Sequence, residues 1–341
     1  MSFEKTYDVH HHVFPPETPV HHWDIYTDHE AMQRCGVTNV LLSCPLQTNA
    51  KLAHYTNELL AEQVKVYLKQ YKMLAALGYD DVPAALEEIA YALDDLHAVG
   101  FGLNTHNETI YLGNDCLNPI FEELNRRSAL VFLHPCHNRA PGNEKLLFTG
   151  NDSVYEYTFD TTRAVMDFVF QDKVARWPNI RWIMPHAGGA IPFLAYRMSI
   201  SGQWGCIHQS AEEIMAALRS FYYDLTLNGC ETNYVFMKQF AGVDHLVFGS
   251  DYPSCQETII QDSIDALQRT RIFTEEEKKK TSVYKGYKQD KIEMRRDRAE
   301  MSDFPLYLNT VAGGLDRRDQ TIGGFSFVVK IYAVPVVEII G

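Results

Sequence analysis

Four places in this chain set nitrogen or carboxylate donors where strands should end: His10 with His12, His134, His186 and Asp251. Imidazoles and a carboxylate without cysteine suit a divalent cation, zinc first, with manganese or iron as alternatives. Three imidazoles and one carboxylate leave coordination room for water or substrate, as a catalytic ion requires. The densest place is Tyr7-Asp8-Val9-His10-His11-His12-Val13-Phe14-Pro15-Pro16. Side chains alternate along a strand, so His10 and His12 should project to one face and His11 to the other. The two prolines then stop the strand and start a loop. Taken alone, the triple histidine also fits a chance cluster or an affinity-tag remnant. A lone histidine after a strand is more often a hydrogen-bonded core residue than a ligand. The joint pattern carries the metal reading.

Such positions need a scaffold that brings distant strand ends together. Val37 to Cys44 is a nearly continuous apolar run, as expected of a strand buried on both faces. Further strands are expected at Lys72 to Tyr79, Phe101 to His106, Ala129 to Pro135, Ile180 to His186, Phe221 to Leu227 and His245 to Asp251. Helical spacing occupies Asp28 to Cys35, Lys51 to Gln70, Val82 to Ala98, Asn118 to Arg127, Thr161 to Trp177, Ser210 to Ser220, Glu231 to Phe240 and Gln256 to Arg269. Pro83 falls in a first helical turn, where proline is tolerated, and Gly100 reads as a helix stop. Eight strands alternating with helices predict an α/β fold, a (β/α)8 TIM barrel of the metal-dependent hydrolase type, with chemistry on the C-terminal strand ends. A doubly wound open sheet is the other candidate, but it usually has fewer strands, and no G-x-G-x-x-G turn occurs here.

Composition narrows the function class. Lys+Arg total 31 against 44 for Asp+Glu, a net charge of -13, so no basic stripe is available to neutralise nucleic-acid phosphates. No uninterrupted apolar stretch of about 18 residues predicts a membrane span. The first residues include Glu4, Lys5 and Asp8 and no apolar run, so a signal peptide is not expected. Seven cysteines without a C-x-x-C pair read as reduced thiols of a cytoplasmic protein.

Four motifs in order carry a family resemblance: Asp8-Val9-His10-His11-His12, Leu133-His134-Pro135, His186-Ala187-Gly188-Gly189 followed by Pro192-Phe193, and Phe248-Gly249-Ser250-Asp251-Tyr252-Pro253. The chain resembles the amidohydrolase superfamily, in the branch that contains aminocarboxymuconate-semialdehyde decarboxylase and resorcylate decarboxylase. Ala84-Ala85-Leu86-Glu87-Glu88-Ile89 and Tyr111-Leu112-Gly113 bring it nearer to fungal 6-methylsalicylate decarboxylases, enzymes of secondary metabolism. The resemblance runs from about Tyr7 to Gln268. It implies His10, His12, His134 and Asp251 as ligands of one divalent ion, zinc or manganese. It implies His186 as the catalytic histidine beside the metal, and Asp251 as a further proton carrier to a ring carbon. Arg197 matches an arginine that reaches a substrate carboxylate across a homodimer interface, with a surface helix arginine as the equal alternative. Phe14, Trp23 and Phe159 are candidate walls for an aromatic substrate. Asp160 to Arg163 also resembles a family segment, without an assignable role.

The expected function is therefore metal-dependent, non-oxidative decarboxylation of a small aromatic acid such as 6-methylsalicylate. The same ligands also suit hydrolysis of a lactone or amide, and a third reading is an inactive barrel kept as a binding protein. The barrel is expected to occupy residues 1–270. Residues 271–341 form an atypical C-terminal tail, with a charge-rich stretch from Lys285 to Arg298 and weakly alternating strands from Phe325 to Ile340.

Overall fold

A computed structural model describes residues 6–14, 23–45, 49–107, 110–136, 152–205 and 207–282. Eight parallel strands follow one another in chain order around a single sheet. They are β1 (Tyr7–His12), β2 (Asn39–Ser43), β3 (Tyr71–Ala76), β4 (Gly100–Asn104), β5 (Leu130–His134), β6 (Arg181–Met184), β7 (Tyr222–Asp224) and β8 (Leu246–Val247). The ring closes through hydrogen bonds from Val9 N to Phe248 O (3.1 Å), Asp251 N to His10 O (2.8 Å) and His12 N to Tyr252 O (2.8 Å). Closure therefore runs through the same residues that carry the first and last motifs.

The first three helices start at side chains that cap them. Asp24 accepts from Tyr26 N and Thr27 N before α1 (Ile25–Cys35), and Asn49 accepts from Leu52 N before α2 (Ala50–Val66). Asp81 caps α3 (Val82–Asp94), with Pro83 in its first turn. These short polar side chains satisfy amide groups that a helix start leaves open. The outer ring continues with α4 (Asn118–Arg126), α5 (Glu156–Phe170), α6 (Lys173–Arg176), α7 (Ile191–Ser199), α8 (Ala211–Ser220), α9 (Glu231–Phe240), α10 (Glu257–Arg269) and α11 (Glu275–Ser282).

Apolar residues divide into two packed layers. One large cluster lies between strands and helices. A smaller one, Val9, Leu41, Leu74, Leu130, Phe132, Ile183 and Val247, takes one residue from most strands. A side-chain set contributed by successive strands in this way fills a barrel interior. Phe132 reaches His10 edge-on, with ring centroids 4.8 Å apart, so this apolar layer floors the donor cluster.

Several boundaries differ from the sequence reading, and two of the differences have a visible cause. The helix expected to run to Ala98 stops at Asp94, and Gly100 opens β4 instead of ending that helix. A Cβ at Gly100 would run into the Leu130 carbonyl, so glycine there serves strand-to-strand approach. The helix expected from Thr161 to Trp177 starts earlier and breaks into α5 and α6 at Asp172, whose φ is 57°. The charged stretch from Lys285 and the strands expected from Phe325 lie outside the described residues. Just before them, α11 joins the barrel, where Phe248 N donates to Thr281 O at 3.1 Å.

Candidate active site

Strand alternation produces the donor cluster. His10 and His12 point into the barrel, and their rings meet edge to face at 4.9 Å. His134 ends β5, with its ring 5.5 Å from that of His10 and 4.6 Å from that of His12. Asp251 follows β8, and its Oδ1 lies 3.6 Å from His10 Nε2 and 3.2 Å from His12 Nε2. One ligand atom from each of His10, His12, His134 and Asp251 lies within 4.8 Å of all the others. Buried His10 Nε2, His12 Nε2 and His134 Nδ1 have no hydrogen-bond partner among the described residues. Buried polar atoms are normally paired, so donors left open toward one point fit a divalent ion.

The far sides of the rings are fastened. His10 Nδ1 donates to Asp224 Oδ2 at 2.8 Å, which leaves Nε2 with its lone pair facing the cluster. His12 Nδ1 donates to Ser43 Oγ at 3.1 Å, and that hydroxyl in turn donates to His11 O. His11 points the other way, as alternation requires. Its two ring nitrogens bond Asp8 Oδ2 at 2.8 Å and Asp28 Oδ2 at 2.7 Å.

Electrostatics separate these imidazoles. Burial lowers the His12 pKa to about 4, and burial with the neighbouring His12 and His10 holds His134 well below the usual range. Burial opposes the charge on His10 too, but Asp224, Asp251 and Asp8 outweigh it and raise that pKa. Burial is likewise outweighed at His11, where Asp28 and Asp8 push the pKa to about 10. For Asp251, burial would raise the carboxyl, yet His10, His12 and His186 hold it well below the carboxylate range.

His186 adjoins the open side of the cluster. Its Nε2 lies 3.7 Å from Asp251 Oδ2, and its ring centre lies 4.8 Å from that of His10. Both His186 (φ 52°) and Asp251 (φ 61°) adopt left-handed backbone, which costs about 1–3 kcal/mol per residue. The barrel holds them there: His186 N donates to Asp224 Oδ1 at 2.8 Å, and Asp251 N to His10 O at 2.8 Å.

This geometry stands with a family match. The amidohydrolase family model matches residues 7–283. The chain belongs to the amidohydrolase family. A 6-methylsalicylic acid decarboxylase of Aspergillus aculeatus is 31% identical over 304 residues, covering 79% of this chain and 88% of the relative. A 6-methylsalicylic acid decarboxylase of Penicillium expansum is 29% identical, covering 74% and 86%. Among solved structures, the 5-carboxyvanillate decarboxylase of Novosphingobium aromaticivorans, complexed with manganese and 4-hydroxy-3-methoxy-5-nitrobenzoic acid, superposes with a TM-score of 0.73 at 17% identity, covering 82% of this chain and 93% of that one.

Other expected site residues of this amidohydrolase sort differently. Phe14 is buried beside His12, with ring centroids 6.4 Å apart, and so borders the cluster. Trp23 is committed elsewhere, its Nε1 donating to Asp28 Oδ2 at 2.9 Å. Phe159 is an exposed residue of α5, 51% accessible. Arg197 is exposed on α7, its guanidinium 5.4 Å from the Trp204 ring centre rather than within the buried cluster. Sequence reasoning passed over Asp224, which touches His10 and His186 at once. The available signal was a carboxylate closing an otherwise apolar strand end, Phe221-Tyr222-Tyr223-Asp224. Tyr157 was also passed over; its ring stands edge-on 6.1 Å from that of His134.

Proposed function

We propose that this amidohydrolase is a metal-dependent, non-oxidative decarboxylase of a small aromatic acid resembling 6-methylsalicylate, releasing CO2. The observation that carries the reading is the convergence of four open donors, His10, His12, His134 and Asp251, beside His186. These four residues would hold one divalent ion. When bound, it supplies a Lewis acid and a template for a phenolic oxygen and a carboxylate. Manganese in the 5-carboxyvanillate decarboxylase supports manganese here, and the all-nitrogen-and-oxygen donor set accommodates zinc equally.

The chain's own groups account for the proton. Decarboxylation of an aromatic acid adds a proton to the ring carbon that bears the carboxylate. The bond to the carboxylate then breaks, its electron pair returns to the ring, and CO2 leaves. His186 holds that proton, and the Asp251 oxygen 3.7 Å away carries it to the ring carbon. Its neighbours keep Asp251 ionised at rest, ready to accept the proton. Phe14 offers an apolar edge to the substrate ring.

Arg197 would act from a second chain. It shares its surface with exposed Phe193, Tyr196 and Trp204, a set suited to a homodimer interface across which it reaches the substrate carboxylate. A cytoplasmic setting is part of the proposal and rests on the buried thiols Cys35, Cys136 and Cys255, none in a disulfide. No described helix is long and apolar enough to cross a membrane.

Elemental analysis of the purified chain beside an Asp251→Ala variant tests the site. About one divalent ion per chain, lost in the variant, is the expected result. Folded protein that takes up no ion would move the function to binding alone. Metal-bound protein that cleaves lactones or amides but releases no CO2 would assign it to hydrolysis.

A further inference from the structure

Helix α5 carries the Asp160-Thr161-Thr162-Arg163 segment that neither the ligand set nor the proton path uses. We infer that this part of α5 is a clamp that fixes His134 and His186 relative to each other, with Asp160 and Thr162 as its positioning residues. The inference rests on the proposed roles of those two histidines.

Asp160 works on the His134 side. It is 1% exposed, and its carboxylate gathers donors from three separate segments. The Thr105 hydroxyl, just past β4, donates to Oδ2. Cys136 N, just past β5, donates to the same oxygen at 3.3 Å, and the Tyr111 hydroxyl donates to Oδ1 at 2.8 Å. Thr105 also ties directly to the histidine, because its backbone N donates to His134 O at 2.9 Å. The His134 carbonyl, through Thr105, and the Cys136 amide two residues on are therefore both tied to one carboxylate. One turn earlier on the helix, Tyr157 packs its ring against that of His134.

Thr162 works on the His186 side. Its Oγ1 donates to Thr158 O at 2.7 Å and accepts from Ala190 N at 2.9 Å, at the end of the turn that His186 opens. That turn has φ of 52°, 55°, 77° and 63° at His186, Ala187, Gly188 and Gly189. Glycine takes positive φ freely, but His186 and Ala187 persist there only where the surroundings over-determine them. The helix supplies that constraint, because a Cβ at Gly189 would strike Thr158 O. A single helical stretch, Thr158 to Thr162, thus grips the backbone beside a ligand and the backbone beside the proton-holding group.

His106, Cys136 and Asp160 also approach closely enough to share an ion. Both Asp160 oxygens already accept hydrogen bonds, and burial pushes the Cys136 thiol up to about 11, away from the thiolate that an ion would need. The network reads as an anchor, not a second metal site.

The test uses the full-length chain and three variants: Asp160→Asn, Thr105→Val and Thr162→Val. Manganese affinity is measured by chelator competition, turnover with 6-methylsalicylate, and imidazole 15N resonances on zinc-loaded protein. Loss of an outer partner of a metal ligand typically weakens binding 10–100-fold. Asp160→Asn and Thr105→Val should weaken manganese binding by about 10-fold and move the His134 resonances. Thr162→Val should keep manganese affinity within about 2-fold, move the His186 resonances and lower kcat by about 10-fold or more, as misplacement of a reacting group does. If Asp160→Asn fails to fold, Thr105→Val reads the same link. Variants that lower only the melting temperature, with affinity, resonances and kcat unchanged, would overturn the clamp. Wild-type protein that binds no metal would instead overturn the reading of the site on which it rests. If wild-type protein binds metal but leaves 6-methylsalicylate intact, the affinities and resonances still decide the clamp.

Discussion

His11 and its two neighbours in β1 are the same residue type, equally buried, and opposite in fate. His10 and His12 face the barrel interior with Nε2 unpartnered, fastened from behind by Asp224 and Ser43. His11 faces outward with both ring nitrogens taken by Asp8 and Asp28. Asp28 is further held by Tyr71 Oη at 2.6 Å and Trp23 Nε1 at 2.9 Å, and Asp8 by Ser250 N at 2.9 Å. The difference lies in saturation: a histidine with one fixed and one open nitrogen is prepared to ligate, and one with both fixed is a structural ion pair. The two faces of one strand therefore divide the work, the inner face for chemistry and the outer for closing the barrel.

Substitutions on the two faces should separate activity from stability. The largest effect is expected from His12→Ala, which removes an open donor and should cut turnover by about 10³-fold or more, because a Lewis acid supplies several kcal/mol of charge stabilisation. Unfolding free energy should change far less, as denaturant titration would show. His11→Ala should do the reverse. It strands two buried carboxylates and should cost about 3–5 kcal/mol of stability, while metal content of the folded fraction stays near that of wild type. Equal loss of metal in both variants would erase the distinction between the faces.

Asp224→Asn sharpens the comparison by loosening the back of His10 without touching a ligand. Metal affinity should fall by about 10–100-fold, readable by chelator competition. The smallest effect belongs to the outer helices, where Glu123 on α4 pairs with Arg126 and Arg127. These arginines, Arg126 first, lower the Glu123 pKa to about 2. A depressed carboxyl contributes stability above its unfolded pKa and loses it as pH falls through the folded value. Glu123→Gln should therefore cost under about 1 kcal/mol at neutral pH, and nothing once pH falls below about 2. Thermal melts at the two pH values would check this.

Much of this arrangement was legible from the chain alone. Buried parallel strands announce themselves as short apolar runs, and a donor after such a run falls at the barrel mouth, which is why His134, His186 and Asp251 were readable together with His10 and His12, though not singly. Alternation fixed the opposite orientations of His10 and His11. Partnerships were not legible. Asp224 lies 214 residues from His10, and only barrel closure makes them neighbours. Asp160 is in the same position, since its donors, Thr105, Tyr111 and Cys136, come from three segments that meet only in the folded ring. The break at Asp172 was missed because apolar spacing continues across it into Val174 and Trp177.

The most direct measurement is 13CO2 release from carboxyl-labelled 6-methylsalicylate by protein stripped of metal and then reloaded with manganese. Release in step with 3-methylphenol, only after reloading and absent from Asp251→Ala, is the expected result. Equal release from the stripped protein, or none from protein that holds a stoichiometric ion, would contradict metal-dependent decarboxylation at these four donors.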